Sequence, residues 1–400
     1  MNLRNPLLKI ENLKMHINTY EGKIKAVDGV DLELFAGEII GIVGESGSGK
    51  SMTSRTILKL LPEGGEVISG KITFKGRDIL QSSEEEIRTI RGSKISFIFQ
   101  NPATFLNPVL KIGDQIIENI ILHQKIKKKD ANESAIRLLT DVGLRNVDKI
   151  IDCYPHQLSG GMQQRAMIAM AISCNPDLII ADECTTALDV TTQLQILNLL
   201  KDISKKINIS IIIITHNLAV VAYLCTRTYV MYEGKTIEEA KTNDLFFDPK
   251  HDYTKKLLKS SRIIDEDKFY STEGESEILK VERIKKIFRL PRTKDPLNAV
   301  DNVSFKLKEG EIFGIAGESG SGKTTIANLL MGLLNVTSGE ITFLNKEINE
   351  FVKKDRKKFR KNIQMIFQSP FGSLNPRKTI GSILSLPINI HFKNTKDKTK

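Results

Sequence analysis

EIIGIVGESGSGKS, residues 38–51, decides the fold. Its first half, 38–43, is a short apolar, β-branched run of the kind that forms a strand buried on both faces. The second half, Gly44, Glu45, Ser46, Gly47, Ser48, Gly49, Lys50 and Ser51, fits G-x-x-x-x-G-K-[ST]. In such a loop backbone N–H groups cradle phosphates, the lysine reaches the β- and γ-phosphates, and the hydroxyl of Ser51 binds Mg²⁺. A helix is expected to start near Lys50, with Met52 in its first turn, which completes the strand–loop–helix context. The motif recurs as Gly317, Glu318, Ser319, Gly320, Ser321, Gly322, Lys323 and Thr324, followed by Thr325. Thr324 is then the second Mg²⁺ hydroxyl. Two copies in one context exclude coincidence and imply a chain that binds ATP or GTP.

The repeat extends outward from the two loops. EIIGIVGESGSGKS at 38–51 answers EIFGIAGESGSGKT at 311–324, an offset of 273 residues. GKITFKGRDI at 70–79 answers GEITFLNKEI at 339–348, and FIFQNPATFLNP at 97–108 answers MIFQSPFGSLNP at 365–376. A period this long marks a duplicated domain rather than a solenoid. The first copy is read as a complete domain over 1–262. A polar, acidic connector containing STEGESE makes 263–277 a linker. The second copy, 278–400, carries the loop and Gln368 but no counterpart of the later motifs. Its core is expected to lack a buried neighbouring strand and to show unpaired edge groups.

Runs at 38–43, 177–182 and 208–215 read as parallel strands with helical patterns between them. The fold class is therefore α/β, a P-loop fold with a mostly parallel core sheet. The stretch from about 101 to 175 is expected to be an inserted helical subdomain.

Composition narrows little further. The chain has 400 residues, 40% hydrophobic and 27% charged, as in ordinary soluble globular proteins. A net charge of +11 fits nucleic acid, anionic lipid or nucleotide, but the lysines are spread over solvated faces. Cys153, Cys174, Cys184 and Cys225 show no C-x-x-C spacing, so neither zinc nor a disulfide framework is indicated, and a reducing cytoplasm fits. The N-terminus lacks a signal peptide's apolar stretch, and no apolar run is long enough to span a bilayer.

The loop lysine and hydroxyl need a carboxylate to hold Mg²⁺. LIIADE at 178–183 supplies one: Asp182 would hold the metal, and Glu183 would polarise the attacking water. LSGGMQQR at 158–165 is the most specific segment. Ser159 is placed to N-cap a helix, and Gly160 and Gly161 let backbone approach a phosphate at that helix's N-terminus. Here the chain resembles the ATP-binding subunits of ABC transporters, whose signature is LSGGQ, with Met162 in the fifth position.

The resemblance implies an antiparallel β subdomain beside the parallel core sheet and the helical subdomain, and further roles. Gln100 looks like the glutamine that senses γ-phosphate and Mg²⁺ and links the site to membrane subunits, with Gln368 its counterpart. Ala187, Leu188 and Asp189 look like the D-loop, and His216 like the switch histidine that contacts γ-phosphate. Tyr20 and Phe288 are candidates for stacking on adenine. His156 lacks the geometry of a phosphate sensor. IFQNPATFLNPVLKIGDQI, YPHQLSGGMQQR, ADECTTALDVTTQ and HDYTKKLL look like the dipeptide, oligopeptide and nickel importers. Cys184, Asn217 and Asp252 depart from that pattern, where Pro, Asp and Pro are usual.

In this family the loop of one domain faces the signature of another. The resemblance thus implies a second ATP-binding domain in trans, either a homodimer or a paired ATPase subunit. It also implies membrane permease subunits, an extracytoplasmic solute-binding protein acting indirectly, no nucleic acid, and a peripheral position on the cytoplasmic face of the cell membrane. Two other readings stay open: a soluble, non-transport ABC ATPase, and a truncated, non-catalytic nucleotide-binding remnant.

Overall fold

Where successive residues alternate between two covered faces, an unbroken apolar run becomes a strand, and the first copy is built on this rule. The computed structural model describes residues 5–20, 22–186, 188–261, 276–289, 296–318, 320–367 and 373–392, without the side chains of 103 and 261. The chain divides into two units, Met1–Asp265 and Glu266–Lys400. The connector read at 263–277 lies largely outside the described residues.

The first unit opens with β1 (Leu8–Thr19), β2 (Gly22–Leu34), β3 (Ile39–Val43), α1 (Lys50–Ile57), β4 (Gly65–Phe74), β5 (Arg77–Asp78), α2 (Glu84–Ile90) and β6 (Ile95–Ile98). Helices α3 (Pro102–Phe105), α4 (Ile112–Gln124), α5 (Lys128–Asp141), α6 (Val147–Ile150) and α7 (Gly160–Ile172) fill the region expected to be helical. The unit then runs β7 (Leu178–Asp182), α8 (Val190–Ile207), β8 (Ser210–Ile214), α9 (Leu218–Leu224), β9 (Arg227–Tyr232), β10 (Lys235–Lys241), α10 (Thr242–Phe247) and α11 (Asp252–Ser261).

One sheet is antiparallel, in the order β2-β1-β4-β5; the other is mostly parallel, in the order β10-β9-β3-β8-β7-β6. Alternate residues of the parallel sheet enter two different cores. Ile40, Ile42, Ile212 and Ile214 pack with Leu8, Ile10 and Met15 of the antiparallel sheet. Ile39, Ile211 and Ile213 pack with Ile116, Ile168 and Leu200 from the helices. That double covering explains the isoleucine run at 211–214. The strand read at 208–215 begins later than its composition suggests, because Asn208 adopts φ +52° as the left-handed cap of α8.

The second unit contains β11 (Glu277–Phe288), β12 (Leu297–Lys308), α12 (Lys323–Leu330), β13 (Ser338–Phe343), β14 (Lys346–Glu347), α13 (Ile348–Asn362) and α14 (Ile380–His391). Its sheet, β12-β11-β13-β14, repeats the antiparallel sheet of the first unit strand for strand. The counterpart of β3 differs. Residues 311–318 belong to no strand, and Ile312 is fully exposed whereas every residue of β3 is buried.

Candidate nucleotide site

Four parallel strands end at one edge. Ile42 of β3 pairs with Ile214 of β8, Ile214 with Asp182 of β7, and Ala181 of β7 with Ile98 of β6. The residues leaving these carboxyl ends are Gly44, His216, Glu183 and Gln100. Ligands bind at this edge of open parallel sheets.

The loop after β3 curls around its own lysine. Lys50 is 5% exposed, and its Nζ donates to Gly44 O at 2.8 Å, Glu45 O at 2.7 Å and Ser48 Oγ at 3.3 Å. Burial pushes the Lys50 pKa down, while Glu183, Asp182 and Glu45 pull it back up. Gly49 sits at φ +96°, where an added Cβ would lie 2.4 Å from Ala26 O, so a side chain is excluded. Ser46 and Gly47 form an exposed lip, and Ser51 and Met52 enter the first turn of α1.

The second loop closes the same way. Lys323 Nζ donates to Gly317 O and Glu318 O, each at 2.6 Å, and to Ser321 Oγ at 3.4 Å. Gly320 and Gly322 adopt φ +83° and +96°. Thr324 and Thr325 follow in α12. Since no strand precedes this loop, its curl is written locally in the sequence. Ser319 and Gln368 lie outside the described residues.

Ser51 Oγ donates to Asp182 Oδ1 at 3.0 Å. Asp182 is 5% exposed, and burial raises its pKa against the pull of the Ser51 hydrogen bond. Glu183 occupies the left-handed region at φ +47°, its N–H donating to Ile214 O at 2.8 Å. Holding a non-glycine residue there costs about 1–3 kcal/mol, strain of a kind that clusters at functional sites. Its carboxylate is held from three sides: Gln100 Nε2 at 2.6 Å, His216 Nδ1 at 3.0 Å and Thr186 Oγ1 at 3.4 Å. Sequence reasoning singled out Gln100, Glu183 and His216 but not Thr186.

Ser51, Asp182 and the Gln100 amide oxygen offer hard oxygen donors. Among the described residues no cluster of three His, Cys, Asp or Glu could hold a metal. A sparse oxygen set, completed by phosphate and water, suits Mg²⁺.

Ser159 caps α7, its Oγ accepting from Met162 N at 3.4 Å. A Cβ on Gly160 would meet nothing within 4 Å, so this helix start presents open backbone. Asp189 caps α8, accepting from Thr192 N at 3.0 Å and Thr192 Oγ1 at 2.9 Å. Gly161 lies against the Thr192 methyl, so the two helix starts are locked together. Ala187 lies outside the described residues.

Other expected positions are not gathered. Tyr20 stands fully exposed in the turn between β1 and β2 and is not brought against the loop. Phe288 ends β11 beneath the Lys286 ammonium, 5.3 Å from its centroid. His156 is exposed and stacks on Tyr154 at 5.7 Å. Asn217 caps α9, accepting from Ala219 N at 3.0 Å, and Asp252 opens α11, where a carboxylate suits the helix dipole. Cys184 is enclosed, its thiol pushed up to about 12 by burial. One contact went unforeseen: the Tyr253 hydroxyl accepts from Glu45 N at 3.0 Å. The only sequence signal for it was the segment HDYTKKLL.

The family model described as ABC transporter matches residues 27–186 and 300–399. The peptidoglycan transport ATP-binding protein YejF of Agrobacterium fabrum (strain C58) is 40% identical over 392 residues, covering 96% of this chain and 71% of that protein. The glutathione import ATP-binding protein GsiA of Escherichia coli (strain K12) is 38% identical over 420 residues, covering 96% of this chain and 67% of that protein. Among solved structures, a dimeric post-hydrolysis state of the ATP-binding cassette MJ0796 bound to ADP and Pi is similar at a TM-score of 0.54 and 29% identity. The match covers 59% of this chain and 98% of that one. The chain belongs to the ABC transporter family, among its ATP-binding, ATP-hydrolysing proteins.

Proposed function

We propose that this protein energises the import of short peptides or peptide-bearing solutes by ATP-driven pairing of nucleotide-binding domains beneath membrane permease subunits. The observation that carries the reading is the hydrogen-bonded set Gln100–Glu183–His216 at the sheet edge that also holds Lys50. An arriving triphosphate gives Lys50 Nζ anionic oxygens in place of the carbonyls of Gly44 and Glu45, a stronger charge-assisted pairing. Ser51 and Asp182 would hold Mg²⁺, whose chemistry there would be neutralisation of charge on the phosphates. Gln100 and His216 turn from Glu183 towards the γ-phosphate, and the freed carboxylate takes the proton of the attacking water. Lys50 and the loop N–H groups stabilise the charge that develops on the phosphoryl oxygens.

The open helix start at Ser159, Gly160 and Gly161 supports completion of the site by a second domain in trans, and MJ0796 is a cassette solved as a dimer. In the second unit, Gly317, Ser319, Gly320, Ser321, Gly322, Lys323, Thr324, Thr325 and Gln368 form a further nucleotide-binding set under this reading. An apolar cavity of about 240 Å³ lined by Leu58, Phe97, Phe99, Phe105, Leu106 and Met170 adjoins Gln100 in sequence and suits an inserted permease segment. Among the described residues no helix is long and apolar enough to cross a membrane. A peripheral position on the cytoplasmic face follows from the permease contact. The relatives' names, peptidoglycan transport and glutathione import, favour peptide-bearing solutes, while nickel rests on motif resemblance alone.

The test uses the chain co-assembled with its permeases in proteoliposomes. Glu183→Gln should cut ATP hydrolysis by about 10²–10⁴-fold, the span of a positioned general base, while ATP binding persists. Turnover at the wild-type rate would remove Glu183 from that role. Failure of energised wild-type liposomes to take up any peptide would remove the importer reading.

A further inference from the structure

Tyr253 has no part in the chemistry described above, yet its hydroxyl touches the phosphate loop. It accepts from Glu45 N at 3.0 Å, and its ring packs on Tyr232 at 4.3 Å between centroids. The contacted N–H shares a peptide unit with Gly44 O, and Gly44 O is what Lys50 Nζ holds at 2.8 Å. One peptide plane is therefore pinned on both sides, by an ammonium that must leave when phosphate arrives and by a phenol that need not. From these contacts we infer that Tyr253 is a positioning residue for nucleotide binding, keeping the Gly44–Glu45 peptide oriented once Lys50 has turned to the phosphates.

The surroundings are built to hold the phenol still. Tyr253 is the second residue of α11, and its N–H donates to His251 Nδ1 at 3.1 Å. The segment leading into that helix is fixed by one carboxylate: Glu238 accepts from Lys250 N at 2.7 Å and from His251 N at 3.0 Å. Glu238 lies on β10, β10 pairs with β9, and Val230 of β9 pairs with Val43, the last residue before the loop. Behind the loop, Gly234 N donates to Ser48 O at 3.1 Å. The hydroxyl is thus referenced to the strand that carries the loop. If the Gly44–Glu45 peptide rotated after Lys50 left, its carbonyl dipole could turn towards the bound anion. A fixed acceptor on the N–H side resists that rotation. The second loop adopts the same curl with Lys323 in place, so Tyr253 is not needed to form the loop. Its role begins when the lysine is drawn away.

The inference rests on the first loop binding nucleotide, and the test separates the two claims. Nucleotide affinity of the full chain is measured with a fluorescent ATP analogue and Mg²⁺, in a Lys323→Ala background so that only the first loop reports. Tyr253→Phe keeps the ring against Tyr232 and removes the acceptor. Its Kd should rise about three- to tenfold, the span of one neutral hydrogen bond, with the nucleotide-free melting temperature unchanged and Tyr232→Phe behaving as wild type. A Tyr253→Phe Kd within twofold of the parent overturns the proposal. So does a loss matched by Tyr232→Phe or by a fall in nucleotide-free melting, since either marks a packing role. If the parent binds no better than a Lys50→Ala control, the nucleotide-site reading itself has failed.

Discussion

Asp182 sits where burial disfavours its charged form. Burial is the largest cause of its raised pKa, and the neighbouring Glu183 charge adds to it; Ser51, Arg55 and Lys50 only partly offset the two. A carboxyl whose folded pKa lies above its unfolded value binds more protons when folded. Its stabilising contribution is present below the ordinary aspartate range and is lost as pH rises through the raised folded value. Charging Asp182 therefore subtracts from stability, a cost that metal and nucleotide binding would offset under the proposed function. Asp182→Asn, which keeps an oxygen for the Ser51 hydroxyl, should raise the nucleotide-free melting temperature at pH 7 and abolish Mg²⁺-dependent hydrolysis. The gap in melting temperature should close as both proteins are taken below pH 4, within the ordinary aspartate range. A variant less stable than wild type at pH 7, or a gap that widens in acid, would show that the carboxylate is structurally favoured.

Helix α7 shows the same division between stability and function at the scale of an element. Its cap is weak, a single 3.4 Å hydrogen bond from Met162 N to an exposed Ser159. Ser159→Ala should cost no more than about 0.5–1 kcal/mol, the lower part of the N-cap range. Hydrolysis should fall far more steeply if the hydroxyl also serves a nucleotide held by a facing domain. Denaturation midpoints beside ATPase rates decide it, and equal small losses in both would confine Ser159 to capping. Elements such as this one were legible in the sequence because local rules govern them: Ser159 before two glycines, and the glycine loop before Lys50. The pairing of Gln100, Glu183 and His216 could be read only by resemblance, since they meet through three strands brought together by parallel register. Tyr253 escaped notice because HDYTKKLL says nothing of its partner; it reaches Glu45 across 208 residues. Tyr20, chosen for its aromatic ring upstream of the loop, is exposed instead, since the turn after β1 packs against nothing that would bury it.

At the scale of the whole molecule, the two copies make a comparison that the sequence sets up and the structure sharpens. Their antiparallel sheets share one strand order, and their phosphate loops share one curl. They part at a single strand. In the first unit β3 pairs with β8 on one side and β9 on the other, and all five of its residues are buried. In the second, 311–316 pairs with no strand among the described residues, leaving Ile312 fully exposed and Phe313 and Ile315 above 40% exposed. Helix α14 likewise buries none of its residues, Ile380 and Leu384 included. Apolar side chains that give up no contact with water contribute little to stability, and unpaired amides have no ladder to open. Hydrogen exchange on this chain should therefore divide the repeat. Amides of residues 39–43 should be protected by about 10³-fold or more, as expected for core strands that open only with much of the domain. Those of 312–315 should exchange within about tenfold of an unfolded peptide, even though strand β11, paired on both sides in the same unit, and helix α12 are protected. Equal protection at the two sites would mean that 312–315 finds strand partners in solution, and the second loop would then stand on a sheet edge like the first.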